Sequence, residues 1–271
     1  MTPRIPGRLS PTHKAMHIQT LGSSGGLESG NGTTAFHIAP ATLIDAGTGS
    51  QRLERAQLDS LSDVLLTHAH ADHIAGLPLL IDALFDTLTT TGRALNVHAL
   101  PETIQSLRAH VFNNDIWPDF SRLPSARAGV LRFHPLTPWQ PLSLAGEGDS
   151  RLTVTPFPVA HTVPTCGFCI DDTDTRTAIC GDTGLSDVSI DALNRLAPLT
   201  DLYIECGLSN AHDRLAEQAR HLTPDRLTRL LGALDVQPER VWITHLKPLQ
   251  REAIIEMLRA QLPPSLCWAL A

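Results

Sequence analysis

The chain has 271 residues, of which 42% are hydrophobic and 18% charged, and a formal net charge of −7. Such a balance excludes a disordered chain and supports a sizeable buried core in one or two domains. The acidic balance argues against a protein that coats long nucleic acids, which takes clustered Lys and Arg. A small phosphate ester stays open, because bound metal would supply positive charge.

No stretch approaches the roughly 20 apolar residues of a membrane helix. Arg4 and Arg8 lead into no apolar run, so a signal peptide is not expected and a cytoplasmic location is. Five cysteines (Cys166, Cys169, Cys180, Cys206, Cys267) are an odd count that argues against a disulfide framework. The unusual number is thirteen histidines against one tyrosine, so their positions matter most.

Residues 1–15 read as a polar, proline-broken tail and residues 16–271 as one domain. Short β-rich segments at 17–22, 33–38 and 41–45 are bounded by Gly, Ser and Asn. Strand and helix then alternate: a buried strand over 63–67, an apolar helix over 74–85, a strand over 95–98, and a helix opened by Pro101 toward His110. Residues 113–129 lose periodicity and form a long loop of the kind that is often functional. The second half repeats the style, with strands over 130–134, 151–159, 167–171 and 176–180, a helix over 190–196 and a strand over 201–205. Thr223 caps a helix with Pro224 at its first position, ending near Leu234. A strand over 240–244 and a helix over 250–261 close the chain. Two β-rich halves that each close with helices predict two sheets packed face to face and covered by helices, an α/β (α+β) class.

The strongest chemical signal is the run His68-Ala69-His70-Ala71-Asp72-His73. A rigid strand delivers it, His68 and His70 can share one metal, and Asp72 and His73 at the turn into the next helix can face a second. Four donors in six residues suit two adjacent open sites better than one closed structural site. Further ligands must come from later strand ends, and His161, Asp182 and His245 each follow a predicted strand. His13, His17, His37, His98, His110, His134 and His212 lack that setting and are not expected to be ligands. Cys166 and Cys169 form a C-x-x-C without a partner pair and read as packing. Residues 22–26 (Gly-Ser-Ser-Gly-Gly) match neither phosphate-loop fingerprint and read as a turn lining the metal cleft.

These residues resemble the metallo-β-lactamase superfamily and, more finely, the class II cyclic-nucleotide phosphodiesterases. The finer likeness rests on residues 67–85, on 100–104, and on 110–120 with its Asn113, Asn114, Ile116, Trp117, Pro118, Asp119 and Phe120. Residues 158–164, 181–184, 220–224 and 244–248 extend it, from about Ile18 to the last helix. Ala69 and Ala71 stand at spacer positions where that family more often has Ser and Leu.

The resemblance implies an αββα metallo-β-lactamase-like sandwich and an enzyme that opens cyclic AMP, or cyclic GMP, to the 5'-nucleotide by a metal-bridged hydroxide. It implies His68, His70 and His161 on one metal, Asp72, His73 and His245 on the other, and Asp182 bridging. Zinc suits the imidazole-rich, thiolate-free set, with manganese or iron as alternatives. Asp72, His221 and Glu205 make up the catalytic set, His221 protonating the ribose 3'-oxygen and Glu205 orienting it. Asp45 is expected to hold a ligand imidazole from behind. Trp117 and Phe120 are expected to stack on a purine, Asn113 or Asn114 to bond its edge or the phosphate, and Lys247 to be solvated. The partner is a small cyclic nucleotide, with neither membrane nor long nucleic acid, and fold precedent suggests a homodimer. Alternatives within the superfamily are an RNA 3'-end nuclease, which would need a gripping arm and a basic face, and a thioester hydrolase, which would need a basic pocket. A metal-stabilised binding protein without turnover is the non-enzymatic alternative.

Overall fold

Strand residues alternate between cores, as the two-residue side-chain period requires. In Ala35–Ile38, Ala35 faces one core while Phe36 and Ile38 face another. In Thr165–Asp171, Cys166, Phe168 and Ile170 join Phe36 and Ile38, while Cys169 turns into a third core. Three cores separate four layers. The computed structural model describes residues 18–148, 150–172 and 174–271. The tail expected over 1–15, with His13, and His17 lie outside them.

The first sheet holds β1 (Ile18–Ser24), β2 (Gly32–Thr33), β3 (Ala35–Ile38), β4 (Thr42–Ile44), β5 (Asp63–Leu65), β6 (Leu95–Ala99) and β7 (Leu131–Pro135), in the order β2-β1-β3-β4-β5-β6-β7. The second holds β8 (Leu142–Ala145), β9 (Arg151–Val159), β10 (Thr165–Asp171), β11 (Arg176–Ile179), β12 (Asp201–Glu205), β13 (Arg240–Thr244) and β14 (Trp268–Leu270), ordered in reverse. Helices α1 (Arg55–Ser60), α2 (Ala71–Ile74), α3 (Leu77–Thr91) and α4 (Pro101–His110) belong to the first half. Helices α5 (Asp187–Leu196), α6 (Asp213–Ala219), α7 (Pro224–Gly232) and α8 (Arg251–Gln261) belong to the second. Leu77, Ile81 and Leu84 of α3 pack on Leu43, Val64 and Val97 of the first sheet, and Leu227, Leu230, Ile254 and Leu258 pack on Leu202, Ile204 and Val241 of the second. The αββα sandwich is thus the observed fold.

Strands β4 to β7 run parallel, and so do β11 to β14. Parallel neighbours bring their carboxyl ends to one edge, where open sheets collect functional loops. The apolar helix expected over 74–85 is split: α2 stops at Ile74 and α3 begins at Leu77. Gly76 sits in the break, where a Cβ would stand 2.1 Å from Ser50 Oγ and 2.7 Å from Gly47 carbonyl oxygen. Helix α5 starts three residues earlier than expected because Ser186 caps it, its side chain accepting from the Ser189 amide. The unanticipated α1, β2, β8 and β14 are short, and α1 buries no residue, so they leave little periodicity to read.

The helical stretch Ala71–Thr91 is long and apolar enough to cross a membrane by length and composition, but Asp72, His73, Asp82 and Asp86 interrupt it, so it is not a run of about 20 consecutive apolar residues. Its apolar face, Leu77, Leu80, Ile81, Leu84 and Leu88, lies in the first-half core. Its first turn carries Asp72 and His73.

Candidate metal centre

Strand β5 ends two residues before Thr67, whose amide and hydroxyl both bond the buried Asp45 carboxylate, at 2.8 Å to Oδ1 and 2.9 Å to Oδ2. That anchor fixes where His68 and His70 leave the sheet. His70 is the extended N-cap of α2, whose first turns place Asp72 and His73. The chain needs glycine beside them: a Cβ on Gly47 would stand 2.2 Å from the Asp72 carbonyl. From the second half, His161 follows β9, Asp182 follows β11, and His245 follows β13 in a left-handed backbone, φ 60°. Gly25 of the residue 22–26 turn lies against His245, a Cβ there meeting its ring at 2.9 Å. Gly25 thus lines the cleft as expected, while Gly22, Ser23 and Ser24, read as part of the turn, belong to β1.

The seven predicted ligands converge in two groups that share one carboxylate. His68, His70, His161 and Asp182 form the first, Asp72, His73, Asp182 and His245 the second, with donor atoms within 4.8 Å of one another in each. Asp182 divides its oxygens between them. His68 Nε2 and His161 Nε2 are each 3.8 Å from Oδ2, while His73 Nε2 and His245 Nδ1 are 3.2 and 3.1 Å from Oδ1. Asp72 Oδ2 lies 3.9 Å from His73 Nε2 and 3.7 Å from His245 Nε2.

The donor set fits metal. His68 Nε2, His73 Nε2, Asp182 Oδ1 and both ring nitrogens of His245 are buried without hydrogen-bond partners, which is costly unless a cation completes them. His161 Nδ1 donates to the Arg220 carbonyl at 3.1 Å. Its Nε2 is then a bare lone pair in the neutral ring, 3.2 Å from His70 Nδ1. Burial holds His68, His70, His161 and His245 below the usual imidazole range, so they stand neutral and ready to ligate. Burial pushes Asp182 up, but His245 and His73 outweigh it and keep the carboxylate ionised. Burial pulls His73 down, but Asp182 and Asp45 raise it well above its ordinary value.

Behind the ligands, Asp45 Oδ2 accepts from His73 Nδ1 at 2.7 Å, the placement expected of it. Glu205, wholly buried at the end of β12, accepts from His221 Nδ1 at 2.7 Å. It also accepts from the amides of Thr183, Gly207 and Leu222 at 2.9, 3.0 and 3.2 Å. Both Glu205 oxygens are engaged in this way, and Asp182, Glu205 and His221 form a third group of donors within 4.8 Å of one another. The His221 ring lies 5.1 Å from that of His161 and 5.3 Å from that of His245. Burial pulls its pKa down, but the Glu205 charge and hydrogen bond carry it up to about 9.

Of the four expected substrate contacts, Phe120 is corrected. Phe120 is 4% exposed and its ring packs 5.5 Å from that of Phe85, so it presents no face to a purine. Trp117 packs on the same first-half core. The Asn113 carboxamide donates to the Ala109 carbonyl and accepts from the Asp115 and Ile116 amides, while Asn114 accepts from the Asp119 amide. Phe120 and Trp117 pin the long loop to the core, while the Asn113 and Asn114 carboxamides bond nearby backbone. Lys247, expected in solvent, instead donates to the Gly25 carbonyl at 2.6 Å and ties two rim loops together. Cys166 and Cys169 are buried free thiols, as read from the sequence. Sequence reasoning missed Thr67, which anchors the motif, and Arg220. The Arg220 guanidinium donates to the His161 carbonyl at 2.8 Å from a residue with φ 52°. An arginine in that backbone conformation leaves no sequence signal.

The Beta-lactamase superfamily domain profile matches residues 41–246. A probable 3',5'-cyclic-nucleotide phosphodiesterase of Yersinia pestis is 30% identical over 86% of this chain and 79% of its own. A ribonuclease Z of Metallosphaera sedula is 27% identical over 59% of this chain and 50% of its own. Among solved structures, unliganded yeast PDE1 superposes with a TM-score of 0.74 at 21% identity, covering 94% of this chain and 96% of that one.

Proposed function

The chain belongs to the Beta-lactamase superfamily domain family and, within it, to the cyclic-nucleotide phosphodiesterases, and from that premise we propose that it hydrolyses 3',5'-cyclic nucleotides, cyclic AMP first, to the 5'-nucleotide. The carrying observation is the Glu205–His221 pair set beside both ligand groups. The two groups would hold two divalent cations, zinc by the imidazole-rich, thiolate-free donor set. Bound there, such cations polarise phosphoryl oxygens and lower the pKa of water.

The residues of the chain do the rest. Because Nδ1 of His221 is committed to Glu205, its Nε2 carries the proton available to the substrate. A ribose 3'-oxygen is a poor leaving group and needs that proton as the P–O bond breaks. General acids of this kind contribute about 10²–10⁴-fold. Glu205 sets the tautomer, keeps the ring cationic before transfer, and places it, being held itself by three backbone amides.

The ribonuclease Z likeness and the same His–Glu pair favour RNA ends as the second reading. Two observations weigh against it: the formal charge of −7, and the absence, among the described residues, of a projecting arm. The long loop after α4 lies folded on the core. The deciding experiment offers metal-quantified protein cyclic AMP, cyclic GMP, a 2',3'-cyclic nucleotide, a precursor RNA 3' end and a thioester, with and without chelator. Chelator-sensitive release of 5'-AMP is the expected outcome. Two bound metals with turnover of RNA or thioester alone would overturn it.

A further inference from the structure

We propose that the cavity lined by Leu185, Val188, Ala216, Glu217, Arg220 and His221 receives the purine base of the substrate. The inference rests on the cyclic-nucleotide reading and goes on to say where specificity is read. The cavity encloses about 360 Å³, within the range of small-molecule sites. His221 and Ala160 line it. Ala160 immediately precedes the ligand His161, and His221 stands between that ring and the ring of His245. The cavity therefore borders the donor cluster, sharing the His221 wall with it.

That placement follows the shape of the substrate. With the phosphate at the Asp182 cluster and the 3'-oxygen at His221, the ribose lies beyond the phosphate. The base then extends past His221, away from the metals. The walls suit it. Leu185 is partly buried against the second-half core, while Val188, at the start of α5, is 51% exposed and takes no part in that core. An exposed β-branched residue beside a pocket offers an apolar face to an aromatic ring. Arg220 spends one N–H on the His161 carbonyl and, among the described residues, makes no ion pair. Its remaining donors are free to meet ring N7, an acceptor that purines have and pyrimidines lack, or to stack on the base.

The test uses the metal-loaded protein and two wall variants on the exposed helix start, Val188→Trp to fill the cavity and Val188→Asp to charge it. Adenosine binding by calorimetry reads the pocket without any turnover. The ratio of kcat/KM for cyclic AMP to that for methyl ribofuranoside 3',5'-cyclic phosphate, which lacks a base, reads it during turnover. Both variants are expected to weaken adenosine binding and lower the ratio by about tenfold or more, the size of a lost pocket contact. If adenosine binds both variants within twofold of the wild type, or not at all to the wild type, the assignment is overturned. If no cyclic nucleotide turns over but the variants still lose adenosine, the hydrolysis reading falls and the pocket stands.

Discussion

In each half of the molecule a buried carboxylate near a strand end holds an imidazole through Nδ1 at 2.7 Å. In the first half Asp45 holds His73, and in the second Glu205 holds His221. The outcomes differ in where the second ring nitrogen goes. His73 is fully buried and aims Nε2 at Asp182, 3.2 Å away, inside the ligand cluster. His221 keeps 11% of its side chain exposed and lines a cavity. The same pair therefore stands wholly inside the donor cluster in the first half and, in the second, at its edge, beside Asp182 and a cavity at once. A carboxylate–histidine pair alone does not tell which placement it takes.

Substitutions can break each side of that comparison separately. The largest effect is expected from Asp182→Ala, which removes the carboxylate both ligand groups share. Metal content by plasma emission should fall below two per chain and kcat/KM by about 10³-fold or more, the several kcal/mol that metal-assisted charge stabilisation supplies. Next, His221→Ala should lower kcat by about 10²–10⁴-fold while metal content stays at the wild-type value. A variant that lost metal as well would make His221 a ligand and erase the contrast between the pairs. Asp45→Asn should do the opposite, weakening metal affinity by about 10–100-fold and restoring most of kcat at saturating metal. Competition with a chromophoric chelator measures the first quantity.

The smallest effect concerns stability against pH in chelated protein. The folded pKa of His221 is raised to about 9, above an unfolded value of about 6.5. Stability from a raised histidine is fully present below the unfolded pKa and is lost as pH rises through the folded one. Chelated wild type should therefore lose part of its urea midpoint between pH 6.5 and 9. The gap between wild type and His221→Ala should narrow over the same window. A gap that widened with pH would mean that Glu205 does not hold the proton on His221.

The first-half ligands were legible because they are local: His68, His70, Asp72 and His73 sit within six residues, and one strand and one helix start place them. His161, Asp182 and His245 could be chosen from the sequence because each comes within three residues of an apolar strand, and for β11 and β13 parallel pairing through β12 brings those ends together. Phe120 was misplaced for the converse reason. Residues 113–129 have no period, so nothing in the sequence separates an aromatic that faces a ligand from one, like Phe120, that closes the core under its own loop.

The sequence by itself therefore determined the layered class, the metal-binding character and the seven-residue donor set. These rest on side-chain periods, on the spacing of four donors after one strand, and on single donors placed just after three later strands, which are each local properties of the chain. The tertiary structure decided how the two oxygens of Asp182 are shared, which imidazole of the two carboxylate pairs is left facing a cavity, and that Arg220 and Val188 stand beside it. Those facts depend on relative positions of strand ends and helices far apart in the chain, which only the packing of the two sheets fixes.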